Sequence, residues 1–357
     1  MQRTLMCVVL SAVLSLTMTA ARADDDEGEG FNQPGNILIT DQFNNRVIEI
    51  NQAGKIVWHF GVGPNDLSPS SAVGTNDAER VGDLTLIAGT GIPPGTAQSP
   101  LACAGASAAG CADNRVMLVD RDGEIIWQYG TFGVTGSGPN QLNTPVANIF
   151  LPNGNVLITD QANQRVIEVR RSDNAIVWQF GETGVVGTDN SHLNSPNSAE
   201  LLHNGHILIA DESNNRAIEV THTTPSEVLK IFSAGGSVSG MAFASRLPDG
   251  HTLLTDAGNS RIVEVDRHDN PVWQYFTNDP AGNPAPLPTR GVRLANGHTL
   301  ISDQFNDRVI EVTRAGAIVA RYGTLNVFGF NTHDASVINA PYSAYKIGDY
   351  TGMTAPF

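Results

Sequence analysis

One phrase recurs along the chain and limits what it can fold into. ITDQFNNRVIEI (39–50) returns as ITDQANQRVIEV (158–169), IADESNNRAIEV (209–220), LTDAGNSRIVEV (254–265) and ISDQFNDRVIEV (301–312). The arginine of this phrase stands at Arg46, Arg115, Arg165, Arg216, Arg261 and Arg308, with gaps of 69, 50, 51, 45 and 47 residues. A fixed period of this length marks a stack or ring of one supersecondary unit, because a single copy cannot bury its own apolar face. A second column, about a dozen residues after the arginine, holds Trp58, Trp127, Trp178 and Trp273 and falls to Lys230 and Ala320 in the fourth and sixth copies.

Each copy reads as strands. NVLITD (155–160), RVIEV (165–169) and AIVWQF (175–180) are short β-branched runs between polar turns, and VANIFL (146–151) precedes the turn signal PNG. Four short strands in a unit of this size predict a propeller blade, and the fold class expected is an all-β, six-bladed β-propeller. The first copy lacks a strand before PGNILITD, and the last is followed by NAPYSAYKI (339–347) with no strands after it. The C-terminal segment is therefore expected to supply the innermost strand of the N-terminal blade and clasp the ring shut, leaving no open edge. The domain expected spans 34–347, with an insertion at about 90–112 in the second blade and a tail at 348–357.

The run GSGPNQLNTPVANIFLPNGNVLITDQANQRVIEV (136–169) resembles an NHL repeat: a Gly-rich loop, Gln141 and Leu142, Pro145, a strand, a turn, then D-x-x-N-x-R. The resemblance extends over roughly residues 34–347, nearly all of the chain after the leader. It implies a six-bladed propeller and leaves function open, since propellers of this type include enzymes and binding scaffolds. The IVWxF outer strand is also similar to that of arylsulfotransferase-like and quinone-binding propellers; the quinone-binding enzymes have eight blades, more than this chain carries.

The ends of the chain are expected to be of another kind. Arg3, an apolar run over 4–19 and Ala21-Arg22-Ala23 read as a secretory signal peptide (1–23), followed by an acidic flexible segment, 24–33. A secreted or periplasmic protein without membrane insertion after cleavage is the expectation. Losing Arg3 and Arg22 moves the net charge from −15 to −17. An acidic chain with three lysines argues against nucleic acid as a partner, because phosphate contacts need clustered basic side chains. It suits a small molecule, a cation or a protein partner. In an oxidising compartment Cys103 and Cys111, the two cysteines left after the leader, are expected to form a disulfide.

The recurring Asp41, Asp160, Asp211, Asp256 and Asp303, five residues before Arg46, Arg165, Arg216, Arg261 and Arg308, are read as structural. A catalytic residue is needed once, whereas aspartate and asparagine in every copy build hairpin turns, and the arginine pairs with a carboxylate of its own or a neighbouring blade. The tryptophans are expected to fill the wedges between blades, with a looser sector where Lys230 and Ala320 replace them.

Function is sought where the copies differ. In the second copy Gly89 stands where the aspartate belongs, and Arg115 follows an insertion rich in Gly, Ala and Pro. Propeller geometry puts this hairpin on the face of the blade-to-blade connections, as either a recognition lid or a tolerated surface loop. On the same face Asp77, Glu79, Asn148, Asn197 and Glu200 start innermost strands and are candidates for binding a ligand or one divalent cation, calcium before zinc. Lactonase- and phosphotriesterase-like propellers use such residues, which implies a metal-assisted hydrolase or lyase as the alternative to a binding propeller. Zinc held by inner-strand histidines, as in NHL-type amidating lyases, is disfavoured, because no histidine stands there. His333 with Arg290 is the pair that arylsulfotransferase-like chemistry would call on as catalytic residues.

Overall fold

In the computed structural model the described residues are 30–93, 110–330 and 334–355. They form six four-stranded antiparallel sheets arranged as a ring, a six-bladed β-propeller. The first blade holds β1 (Ile37–Asp41), β2 (Arg46–Ile50) and β3 (Ile56–Phe60). The second is β4 (Thr75–Val81), β5 (Leu84–Ile92), β6 (Cys111–Val119) and β7 (Ile125–Gly130). The third is β8 (Pro145–Phe150), β9 (Val156–Asp160), β10 (Arg165–Arg170) and β11 (Ala175–Phe180). The fourth is β12 (Pro196–Leu201), β13 (Ile207–Asp211), β14 (Arg216–Val220) and β15 (Val228–Phe232). The fifth is β16 (Met241–Arg246), β17 (Thr252–Asp256), β18 (Arg261–Val265) and β19 (Pro271–Phe276). The sixth is β20 (Pro288–Arg293), β21 (Thr299–Asp303), β22 (Arg308–Val312) and β23 (Ile318–Gly323). The ring closes as the sequence predicts: β24 (Pro341–Lys346) pairs with β1 and becomes the innermost strand of the first blade.

The core lies between blades. Alternate residues of a strand face opposite sides of its sheet, so each blade feeds two apolar clusters. Val156, Ile158 and Ile167 pack with Leu86, Val116 and Leu118 of the second blade, while Leu157 and Val166 pack with Ile207, Ile209 and Ile218 of the fourth. Burying each such side chain contributes about 1.5–3 kcal/mol.

The repeated turn is a 3₁₀ turn followed by a left-handed residue. Asp41 precedes the turn Gln42–Asn44, and Asn45 takes φ 52°. The arginine pairs with the aspartate of its own blade: Arg46–Asp41 at 2.7 Å, Arg165–Asp160 at 2.8 Å, Arg216–Asp211 at 2.8 Å, Arg261–Asp256 at 2.6 Å and Arg308–Asp303 at 2.7 Å. Blades are tied together by the left-handed residue instead. Asn45, Asn114, Gln164, Asn215 and Asp307 each accept the backbone N–H of the residue just before the next innermost strand, at 2.6–3.0 Å.

A second set of links crosses between blades at the opposite ends of the strands. The glutamate of the repeat meets a base on the following innermost strand in Glu49–Arg80, Glu219–Arg246, Glu264–Arg293 and Glu311–Lys346. His206, His251 and His298, in turns of this lower face, hold the same glutamates through Nδ1. At the rim each tryptophan reaches the next blade: the indole N–H of Trp58 donates to the Arg121 carbonyl, that of Trp127 to Asn174, of Trp178 to the Thr223 carbonyl and of Trp273 to the Arg314 carbonyl. The looser sector expected at the fourth blade is not found, because Lys230 Nζ makes the equivalent bond to the Arg267 carbonyl.

The last described residues, 348–355, do not trail away. Ala295 N–H donates to Asp349, and the backbone N–H and the hydroxyl of Thr354 both donate to Glu200. The segment thus runs from the first blade past the sixth and fifth to the fourth. First and fourth blades lie opposite one another in a ring of six, so this segment crosses beneath the channel.

Candidate functional site

The upper face gathers the 3₁₀ turns, the blade-to-blade connections and the base of the insertion. A cavity of about 400 Å³ opens there. Six carboxamides line it (Gln42, Asn76, Asn114, Asn143, Gln161 and Asn197), together with Thr90, Thr135, Thr144 and Tyr342. Glu212 is the one charged side chain among its lining residues.

The turn geometry explains this composition. The residue after the repeat's aspartate opens the 3₁₀ turn and projects toward the channel mouth. It is Gln42, Gln161, Glu212 and Gln304 in four blades and Ala257 in a fifth. Two hydrogen-bonded chains run along the rim of the mouth. Gln304 Nε2 donates to Gln42 Oε1 at 2.8 Å, and Gln42 Nε2 to Asn76 Oδ1 at 2.7 Å. On the other side Gln161 Nε2 (3.1 Å) and Asn197 Nδ2 (2.8 Å) both donate to Glu212 Oε2, and the Tyr342 hydroxyl donates to Asn197 Oδ1 at 2.9 Å. Among the described residues no donor reaches Glu212 Oε1. Burial raises the pKa of this carboxyl against the two amide hydrogen bonds that lower it.

The base of the insertion walls the cavity through Thr90, Gly91 and Ile92 of β5 and Cys111 and Ala112 of β6. Strand pairing continues to Ile92 and Cys111, so the loop proper is shorter than the expected 90–112. Residues 94–109 lie outside the described residues, and with them Cys103 and its pairing with Cys111; His333 also lies outside.

Of the predicted ligand set, Asn197 belongs to the mouth. The others sit deeper. Arg290 Nη1 lies 2.9 Å from Asp77 Oδ1, and Asp77 Oδ2 accepts the Asn148 backbone N–H at 3.0 Å. Glu79 Oε2 accepts the Phe150 N–H at 2.7 Å, and Glu200 Oε2 takes the two Thr354 bonds. Burial pushes Glu200 up to about 7 and Glu79 well above the carboxylate range; the nearby acids add to it. A calcium ion takes six to eight oxygens. Here Asp77 spends both oxygens on protein donors, and the Arg290 guanidinium brings positive charge into the middle of the set. Asn148 Oδ1 and Glu200 Oε1 are buried without a hydrogen-bond partner. Among the described residues the one trio with ligand atoms within 4.8 Å of one another is Asp249, His251 and Glu264, on the lower face. Glu264 there also pairs with Arg293 and Arg314.

Asn197 apart, the mouth residues are not singled out by the sequence reading above, although a signal for them is present: a glutamine or glutamate follows the repeat's aspartate in Gln42, Gln161, Glu212 and Gln304.

No protein-family model and no curated protein sequence matches the chain. Solved structures match over most of it. A protein of unknown function from Bacteroides caccae superposes with a TM-score of 0.56 at 14% identity, over 87% of this chain and 98% of that one. Virginiamycin B lyase from Staphylococcus aureus gives 0.52 at 15% identity over 81% of each chain. The catalytically inactive variant of that lyase, with quinupristin, gives 0.51 at 14% identity over 81% of this chain and 85% of that one. At such identities the likeness is one of fold: the chain shares the β-propeller architecture of these proteins.

Proposed function

We propose that the chain is an exported propeller that binds a small hydrogen-bonding ligand, neutral or singly cationic, in the amide-lined cup at the channel mouth. One observation carries this reading: a cavity of about 400 Å³ lined by six carboxamides and four hydroxyls, with Glu212 as the one charged side chain among the described lining residues. Amides and hydroxyls offer both donors and acceptors, which suits hydroxyl- or amide-rich molecules. With no basic residue among the described residues of the wall, a carboxylate, sulfate or phosphate would lose its hydration without gaining a counter-charge. The size falls within the range of small-molecule pockets.

The test is calorimetric titration with glucose, glucosamine and glucose 6-sulfate as a charge series. Saturable binding of glucose or glucosamine, weakened by Asn197→Ala, supports the reading; preferential binding of the sulfated sugar overturns it. A second reading, a lyase or hydrolase, is favoured by the raised carboxyl of Glu212 in a cleft, a property shared by general acids. Mass spectrometry of the ligand after incubation separates the two, because a binding protein returns it unchanged. Export, with the leader removed and a Cys103–Cys111 disulfide at the insertion, belongs to the same proposal.

A further inference from the structure

One side chain bars the mouth of the channel. Tyr342 stands on β24, the innermost strand of the first blade, and its hydroxyl donates to Asn197 Oδ1 on β12, the innermost strand of the fourth. First and fourth blades face one another in a ring of six, so this bond reaches across the mouth. The backbone end of Tyr342 is held too, because its carbonyl accepts the Thr289 hydroxyl of the sixth blade. The Arg290–Asp77 pair starts one residue further down the innermost strands than Thr289 and Asn76, below the bar. Tyr342 is also the one aromatic side chain among the described residues that line the cup. A ring held at both ends presents its surface to a ligand at little cost in conformational freedom.

The wall around it keeps polar atoms in reserve. Gln42 and Asn197 spend both ends of their amides on the two rim chains, while Asn76 and Gln161 spend one each. No partner among the described residues reaches Asn76 Nδ2, Asn143 Nδ2, Gln161 Oε1 or Glu212 Oε1. All four residues line the cup, and none of these four atoms is shut away from solvent. Donors and acceptors thus alternate in kind around the wall. A hydroxyl serves either, since it both donates and accepts.

We propose that the cup takes a pyranose with equatorial hydroxyls, laid flat on the Tyr342 ring, and that Tyr342 selects a closed sugar ring over an open-chain polyol. The inference rests on the cup being the ligand site and adds what the amides cannot supply. Amides hold hydroxyls wherever a carbon chain carries them. An aromatic face, by contrast, rewards burial of an apolar C–H surface, which only a closed ring without axial hydroxyls presents. The edge of such a sugar reaches the free donors and acceptors while its face covers Tyr342.

The test uses the full chain, perdeuterated except for its tyrosines, with methyl β-glucopyranoside as ligand and saturation of the tyrosine ring protons. In this sugar the hydrogens on carbons 1, 3 and 5 lie on one face and those on carbons 2 and 4 on the other. The expected result is saturation transfer to one set and not the other, with the glucoside bound about tenfold more tightly than sorbitol. Tyr342→Phe should keep the glucoside affinity within about threefold and lose the transfer, because its new ring is deuterated. Tyr342→Leu should remove most of the preference over sorbitol. A glucoside that binds saturably without transfer, or with equal transfer to both faces, overturns the stacking and leaves the cup as a binding site. Transfer that persists in Tyr342→Phe overturns it as well. Absence of saturable glucoside binding overturns this inference and the sugar-binding reading of the cup together.

Discussion

Asp113 Oδ1 lies 2.6 Å from Arg115 Nε, which rebuilds in the second blade, from two residues upstream, the pair that five blades build from five residues upstream. The ladder shows why. Gly89 stands opposite Arg115, just as Asp41 stands opposite Arg46, and a Cβ at Gly89 would meet Asp113 Oδ2 at 2.4 Å. The glycine makes room for a carboxylate arriving from the other strand. Asp113 also accepts the Val73 N–H, as Asp160 accepts that of Asn143.

Gly89→Ala should therefore destabilise the ring by about 1–3 kcal/mol, the range for overpacking a filled site. Gly89→Asp combined with Asp113→Gly restores the arrangement of the other blades and should recover most of the loss that either change causes alone. Chemical denaturation of the four proteins measures this coupling; simple additivity would contradict the exchange of roles.

The repeat's ion pairs differ in burial, and their removal should follow that order. Arg46 is 1% exposed and Arg261 13%, each against a fully buried aspartate. Breaking a buried pair leaves an uncompensated charge and costs about 3–5 kcal/mol. Arg46→Met should fall in that range and Arg261→Met below it, with ligand affinity at the cup unchanged in both. Equal losses of stability would contradict the burial argument.

At the rim Ala320 occupies the position that holds tryptophan in four blades. Ala320→Trp should raise stability by about 0.5–1.5 kcal/mol, through ring burial against the first blade and an indole hydrogen bond to its turn. A thermal-melting comparison with wild type checks it, and a lower midpoint would show that this sector is already filled.

Stability should fall as pH rises from about 4.5 to 8. Burial pushes Glu200 and Asp307 up to about 7 and Asp113 and Asp303 to about 6 in the folded chain. A carboxyl whose folded pKa is raised binds more protons folded than unfolded. Its contribution is thus complete below the unfolded value and lost as pH passes the folded one. Glu200 alone accounts for roughly 3 kcal/mol on this basis, and Glu200→Gln should flatten that part of the profile. At Glu168 burial is outweighed by hydrogen bonds from His222, Asn155 and Asn153, which hold it at about 2, so its contribution is lost only as pH falls from 4.5 through 2. A stability that rises steadily from pH 5 to 8 would contradict these shifts.

The blades were legible because their signal is repeated: an arginine in all six copies gives six blades, and a strand missing before the first copy with one to spare after the last gives their closure. Contacts between copies were not. The residue after the turn, Asn45 or Gln164, varies from copy to copy and carries no signal in the phrase, yet its side chain holds a backbone N–H about 30 residues further on. Asp77, Glu79 and Glu200 do sit on innermost strands, but strand position does not say that Arg290, Phe150 and Thr354 would claim their oxygens. The C-terminal segment carries no repeat at all. Its course under the ring follows from packing.

The central claim, that the cup at the mouth selects by a single acid among amides, is tested most directly by the ratio of glucosamine to glucose affinity in wild type and in Glu212→Gln. The account predicts tighter binding of glucosamine to the wild-type protein and a drop of about tenfold in that ratio when the charge is removed, as for a hydrogen bond to a charged group. An unchanged ratio, or binding of either sugar that ignores both Glu212 and Asn197, would contradict it.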